Sequence, residues 1–376
     1  MDALGLVHEV LLPRLLVDLF LLGPPLLRSR IAASGPSRSL HGHVRLLLPV
    51  DEEVYVRLRY RPLVPDRLDL LVLGDANPDL VLTGDVEPAF GQAERLVEQA
   101  HLTVGGSGAI VACGAARLGL RVGFCGVVGD DLFGRFLRDE LEGRSVDVGG
   151  LISEQAGGTG VTVVLSRPTD RAILTNPGTV GDLRTELVDP VLLDSARHVH
   201  VSSYFLQRRL APGLLALFER VRGRGATTSL DPNWDPSERW DGGLTELLAH
   251  TDVFLPNAAE ATRIAAVPDV EAAVVALARR APLVVAKAGR DGAIAARSGQ
   301  LVRAPAPRID AFDTTGAGDA FDAGFLASRL AGDPLERALA IANACGALST
   351  RAVGGVDAQP TMDEVLALLA ESDAAL

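Results

Sequence analysis

The segment Asp313-Thr-Thr-Gly-Ala-Gly-Asp319 gathers the residue types best suited to chemistry in this chain. Gly316, Ala317 and Gly318 carry little or no side chain, so their backbone N–H groups can face a ligand. The following residues, Ala320 to Leu330, have a helical composition. A small-residue loop at a helix start is an anion site, because free amides and the helix dipole both favour negative charge. Asp319 stands at that same start. A carboxylate there hinders simple storage of an anion. It is useful if it takes a proton from a hydroxyl while the amides hold a phosphoryl group in transfer. In isolation, Asp319 reads better as a first-turn acid that only favours the helix; the density of small residues on both sides of it shifts the balance.

The string as a whole, through Ala320-Phe321, resembles the C-terminal signature of the ribokinase-like (PfkB) carbohydrate kinases. That resemblance implies Asp319 as catalytic base, with Gly316, Ala317 and Gly318 as the anion hole. It places Asp313 and Thr315 in a loop that often binds a monovalent cation, K+ being the candidate. Other motifs follow in the family's order between about residues 70 and 365. Gly105-Gly-Ser-Gly-Ala109 is similar to the di-glycine motif, so Gly105 and Gly106 are expected against the sugar. Asn77 and Asp79 match residues that grip substrate hydroxyls. Asn257-Ala-Ala-Glu260 resembles the N-x-x-E motif, which implies Asn257 near the nucleotide and Glu260 holding Mg2+ through water. Val284-Val-Ala-Lys-Ala-Gly289, followed by Asp291-Gly292, implies Lys287, Gly289 and Gly292 near the nucleotide. Asn343 resembles a residue beside the adenine. Asp231-Pro-Asn-Trp-Asp235 is similar to a stretch of fructokinase-like members, with Asp231 expected at the substrate.

Taken singly, these signals have plainer readings. Asn257 and Glu260 have the spacing of a helix capping box. Asn77 and Asp79 bracket a proline, as in a turn. One departure is Ile110, where many members carry an asparagine that binds substrate. Its apolar side chain removes a hydrogen bond and argues for a substrate other than ribose.

The elements that must carry these residues alternate. Leu70–Leu73, Arg121–Val128, Arg197–Ser203, Thr227–Leu230, Val253–Leu255 and Leu283–Ala286 read as strands. Helical stretches at Ala109–Leu118, Phe133–Leu141, Gly213–Arg222, Leu244–Ala249, Glu260–Ala265 and Val270–Arg280 separate most of them. Alternation implies an α/β fold with a mostly parallel sheet and helices on both faces. Segments of about 80–104 and 157–178 break the rhythm and predict a small separate β-sheet, a lid over the sugar. The kinase domain is expected over 66–376.

Residues 1–65 differ. They are rich in Leu, Arg and Pro, and the apolar stretch Leu11–Leu27 is interrupted by Pro13, Arg14, Asp18, Pro24 and Pro25. That is a poor membrane span and a poor signal peptide. A disordered extension, or a true start near Val64, is expected there.

The formal net charge of −12 opposes a nucleic-acid partner. No P-loop G-x-x-x-x-G-K-[ST] is present, and Lys287 is the single lysine among 36 basic residues. Cys113, Cys125 and Cys345 form no C-x-x-C pair and suit a reducing cytoplasm. His198 and His200 alternate in a strand without a third ligand, so they read as core residues. The reading is therefore an ATP- and Mg2+-dependent kinase of a sugar or sugar acid, forming a homodimer through its lid. A nucleoside kinase is the alternative, with Tyr204 and Phe205 as the aromatic platform for a base. A non-catalytic sugar- or nucleotide-binding regulator ranks below both.

Overall fold

The computed structural model describes residues 67–167 and 170–374 and, within residues 1–66, three strands: β1 (Leu15–Val17), β2 (His41–Leu47) and β3 (Glu53–Pro62). These three pair antiparallel in the order β1-β3-β2. The remainder of that segment, and with it most of the expectation for residues 1–65, lies outside the described residues.

Residues 67–376 form a second unit. Its strands are β4 (Leu70–Leu73), β5 (Asn77–Thr83), β6 (Gln99–Gly105), β7 (Val122–Gly129), β8 (Val146–Glu154), β9 (Val161–Ser166), β10 (Arg171–Asn176), β11 (His198–Val201), β12 (Thr227–Leu230), β13 (Val253–Phe254), β14 (Leu283–Lys287), β15 (Ala293–Arg297) and β16 (Gln300–Ala304). Its helices are α1 (Ser107–Arg117), α2 (Leu132–Gly143), α3 (Pro190–Ser195), α4 (Leu214–Gly223), α5 (Leu244–Leu248), α6 (Ala258–Ala265), α7 (Val270–Leu277), α8 (Ala317–Ala331), α9 (Leu335–Leu348) and α10 (Met362–Ala374).

Nine strands make the main sheet, in the order β16-β15-β14-β13-β12-β11-β4-β7-β8. From β14 to β8 every neighbour is parallel; β15 and β16 add an antiparallel edge. Strand β4 shows why the sheet must be covered on both sides. Its residues are all buried, with Leu71 and Leu73 in the core on one face and Leu70 and Val72 in the core on the other. The side-chain period of two sends alternate residues to opposite layers, and both layers here are apolar. Helices α4, α5 and α7 fill the first face; α1, α2, α8 and α9 fill the second.

A separate four-stranded sheet has the order β10-β9-β5-β6. Strands β5 and β6 pair antiparallel from Asn77 opposite Gly105 to Thr83 opposite Gln99. Strand β9 runs parallel to β5, and β10 returns antiparallel along β9. This is the small non-alternating sheet that the sequence predicts beside the parallel one. The β15–β16 hairpin carries no such forecast, because its strands are short and each holds a single β-branched residue, Ile294 and Val302.

Candidate active site

The parallel strands all deliver their C-terminal ends to one edge, where ligands bind in open α/β sheets. Asp75 follows β4, Ser203 follows β11, Asp231 follows β12, Asn257 follows β13, and Lys287 closes β14. The start of α8 meets the same edge.

Helix α8 begins without a side-chain cap. Its N-cap is Gly316, held at φ +71°, a left-handed conformation that glycine adopts freely. A side chain there would also meet the Gly355 backbone, since a β-carbon would lie 2.7 Å from its Cα. The first turn has no side-chain cap; the Ala317 amide makes a long 3.3 Å bond to the Thr314 carbonyl, and Gly318 is exposed. Asp319 lies in that turn, half-buried, with Ser107 of α1 hydrogen-bonded to it. Burial is the main reason its carboxyl is pushed up to about 8. The negative field of Asp231 adds to this, and Lys287 opposes it.

Lys287 is buried beneath that turn. Its Nζ donates to Asp231 Oδ2 at 2.6 Å and to Asp322 at 3.0 and 3.2 Å. Asp322 sits one turn after Asp319 on α8 and is fully buried. Asp231 also accepts from the Asn233 amide at 2.8 Å, and the Asn233 side chain bonds Ser203 and Ser107. One connected polar network therefore joins β12, β14, α1 and α8.

Glu260 and Asn257 do form the capping box. The Asn257 amide donates to Glu260 Oε2 at 2.8 Å and the Glu260 amide to Asn257 Oδ1 at 2.9 Å. Glu260 is nonetheless buried, and burial together with Asp231 pushes its carboxyl to about 7. The local role explains its position, while its burial beside the Lys287 cluster goes beyond what capping requires.

Over the small sheet, Asn77 Nδ2 donates to Asp79 Oδ1 at 2.8 Å and to Thr162 Oγ1 at 3.1 Å. Asp79 is buried and pushed up to about 7, first by desolvation. Gly105 lies against this carboxylate: a β-carbon there would fall 2.1 Å from Asp79 Oδ1. Gly106, at φ +84°, packs on the backbone of Asp75 and Ala76. Asp75 accepts from the amides of Ser107 and Gly108 at 3.2 and 3.1 Å, so an acid from β4 caps α1.

Asp313 Oδ1 accepts from the Thr315 amide at 2.9 Å and hydroxyl at 2.7 Å, and Oδ2 accepts from the Gly354 amide at 2.9 Å. Arg171 of β10 reaches this loop, donating to Thr315 Oγ1 at 2.8 Å with Asp313 Oδ1 at 3.6 Å. Asn343 is spent on the backbone, donating to the carbonyls of Ala304 and Pro305. Gly292, at φ +93°, packs against that same segment, with a β-carbon 2.0 Å from the Ala304 oxygen. Gly289, at φ +58°, faces open space.

The structure thus brings Asp319, Gly316 to Gly318, Asp231, Lys287, Glu260 and Asn257 to one place. Asn77, Asp79, Gly105 and Gly106 gather at the small sheet's junction with α1. Ile110 is buried under the loop, where β-carbons on Gly316 and Gly355 would lie 3.2 and 2.5 Å from its side chain. Its effect therefore runs through the loop's floor and not through an open hydroxyl pocket. The expected aromatic platform is packed away: Tyr204 is buried and donates to the Gly242 carbonyl, and Phe205 meets Tyr204 and Trp240 edge-on.

Sequence reasoning missed Asp75, Asp322 and Ser107. Asp75 was legible as the first acid after a parallel strand, and Asp322 as the i+3 neighbour of Asp319 on one helix face.

The pfkB family carbohydrate kinase profile matches residues 67–362. The chain belongs to the PfkB family. Among its relatives, an ATP-dependent ribose-1-phosphate kinase of Halopiger xanaduensis is 37% identical over 306 residues, covering 80% of this chain and 98% of the relative. A fructokinase of Klebsiella pneumoniae is 35% identical, covering 78% of this chain and 97% of its own. The 2-dehydro-3-deoxygluconokinase of Bacillus subtilis is 30% identical, covering 69% and 84%. In fold, the E. coli structure described as Ribokinase II, solved with ATP and Mg2+, superposes with a TM-score of 0.73 at 24% identity, covering 81% of this chain and 99% of that one. The ribokinase of Arabidopsis thaliana, complexed with ribose and ATP, gives 0.70 at 24% identity, covering 80% and 98%. This PfkB chain is a sugar kinase with the ribokinase-like fold. Among its described residues no helix is long and apolar enough to cross a membrane.

Proposed function

We propose that this kinase transfers the γ-phosphoryl group of ATP to a hydroxymethyl group of a sugar or sugar acid, with Asp319 as the base. The observation that carries the reading is the start of α8. An uncapped, glycine-led first turn and a desolvated carboxyl share one spot at the C-terminal edge of the sheet.

The chain's own groups divide the work. Asn77 and Asp79 hold the sugar's hydroxyls beside Gly105. Asp319 takes the proton of the hydroxyl that attacks. The amides of Ala317 and Gly318 steady the phosphoryl oxygens. The small sheet closes over the sugar and excludes water. Gly289, open to solvent, lies near the nucleotide, while Gly292 and Asn343 shape the wall behind it. Asp313 and Thr315 brace the loop, with K+ as the monovalent cation their oxygens suit.

The site fits Mg2+. Asp319, Glu260, Asp79 and Asp75 are all pushed up, first by burial, and for Asp319, Glu260 and Asp79 also by neighbouring acids, so a cation would be welcome beside them. Among the described residues no cluster of three ligands could hold a metal by itself. Mg2+ commonly binds through one or two carboxylates plus phosphates, so Glu260 would hold it through water. When bound, the ion supplies charge neutralisation across the phosphates.

The substrate class follows the relatives, whose names span a sugar phosphate, a hexose and a sugar acid. ADP release measured with ribose 1-phosphate, fructose, 2-dehydro-3-deoxygluconate and a nucleoside panel tests the reading. Turnover is expected with a sugar-type acceptor. Turnover with nucleosides alone, or with no acceptor, contradicts it. A cytoplasmic setting agrees with three buried cysteines, none of them in a C-x-x-C pair. Exposed Leu102 and Leu174, on one face of the small sheet, support a homodimer through that lid.

A further inference from the structure

We propose that Lys287 is a positioning residue of the phosphoryl-transfer site: its ammonium, fixed between Asp231 and Asp322 beneath Gly318, supplies the positive charge that lets Asp319 work as a carboxylate. The inference rests on the reading of Asp319 as base and names what sustains it.

The geometry places Lys287 under the anion hole and not out at the nucleotide. A β-carbon added to Gly318 would lie 3.8 Å from Lys287 Cδ, Cε and Nζ alike. The end of the side chain therefore lies directly under the backbone of the turn. Asp231 and Asp322 take its three donors and are themselves buried. Removing two acids from water around one ammonium is expensive if the sole result is cohesion, because apolar side chains of similar volume stabilise as well or better. A buried cluster kept at such a cost belongs where charge is needed.

Composition gives an independent reason. Of 36 basic residues in the chain, Lys287 alone is lysine. A chain that uses arginine everywhere else keeps the compact point charge here. The ammonium sets one compact charge between two buried carboxylates, where arginine would spread its charge over a planar fork.

The groups that face Asp319 are few. Asp231 from β12, Lys287 from β14 and Asp75 after β4 act on it by charge, and Ser107 of α1 by a hydrogen bond. Asp322 on its own helix and Glu260 of α6 act on Lys287. His200 of β11 feels Asp231 and Lys287 but is buried and held neutral, pushed down to about 4. Lys287 is thus the cation in a ring of acids. Without it, Asp319 would keep its proton to higher pH and could not accept one from a hydroxyl.

The test is the pH profile of kcat/KM for wild type, Lys287→Met, Lys287→Arg and Asp319→Asn, each checked for folding by thermal melt. In wild type the acid limb is expected near pH 8. In Lys287→Met it should move up by about one unit or more, the reach of a single neighbouring charge. At pH 7 this lowers kcat/KM by about tenfold beyond any uniform loss, and much of the loss is recovered at high pH. Lys287→Arg keeps the charge, so its limb should stay near that of wild type even where its rate is lower. If Lys287→Met fails to fold, the double variant Lys287→Met/Asp322→Asn removes one buried acid with the cation, and the same displaced limb is expected. A limb that stays at the wild-type pH in the Met variants, with a uniform loss across pH, overturns the proposal. A limb in Lys287→Arg displaced as far as in Lys287→Met overturns it too. Failure of the underlying reading looks different: Asp319→Asn would then retain activity and the wild-type pH limb.

Discussion

On the proposed reading, Asp319 owes its reactivity to where α8 begins. An aspartate in water loses its proton near pH 4, whereas burial and Asp231 hold this one to about 8. The free enzyme should therefore show kcat/KM rising with pH toward about 8 and flattening above, and a rate profile at saturating ATP checks this. Raised acids also set a stability trend. Asp319, Asp79 and Glu260 are pushed up to about 8, 7 and 7, so the folded chain binds more protons than the unfolded chain between about pH 4 and 8. Their contribution is full below the unfolded value and is lost as pH rises through the folded one. The ligand-free protein should melt at a lower temperature at pH 8.5 than at pH 5.5, by roughly 5 °C, in a calorimetric scan. At this scale the sequence was partly legible. The glycine run exposed Asp319, because few segments pack so many small residues against an acid. Asp322 and Asp75 carry only positional signals in the sequence, and the fold is what shows that the end of β4 and the second turn of α8 share a site with β14.

Glycines and caps tie the elements to the site. Gly105 closes β6 directly against Asp79, so Gly105→Ala should displace that carboxylate. The expected result is a rise in the sugar KM of tenfold or more with the ATP KM little changed, measured by steady-state kinetics; equal rises in both would refute the local account. The parallel strands and their helices were readable from buried runs alternating with amphipathic stretches. The β15–β16 hairpin was not, since the short, Ala-rich run Ala293-Ile-Ala-Ala-Arg297 carries little strand bias. The capping box at Asn257 and Glu260 shows one pair meeting two demands, a helix start and a buried acid beside Lys287. Pattern reading finds the first and is blind to the second.

At the scale of the molecule, the small sheet is proposed to meet both the sugar and a second copy of the chain. Leu102 and Leu174 stand exposed on one face of it, in register through Leu80 and Val163. A second copy covering that face should appear as a dimer by light scattering, and Leu102→Glu/Leu174→Glu should return a monomer. A wild-type monomer at micromolar concentration contradicts the lid interface. Arg171 links the same sheet to the Asp313–Thr315 loop. The central claim stands or falls on Asp319. Turnover of Asp319→Asn with the best sugar acceptor, measured beside its ATP affinity, tests it most directly. The account predicts a loss of roughly 10²–10⁴-fold in kcat, the usual worth of a positioned base, with ATP binding nearly unchanged. A variant that keeps the wild-type rate would contradict it.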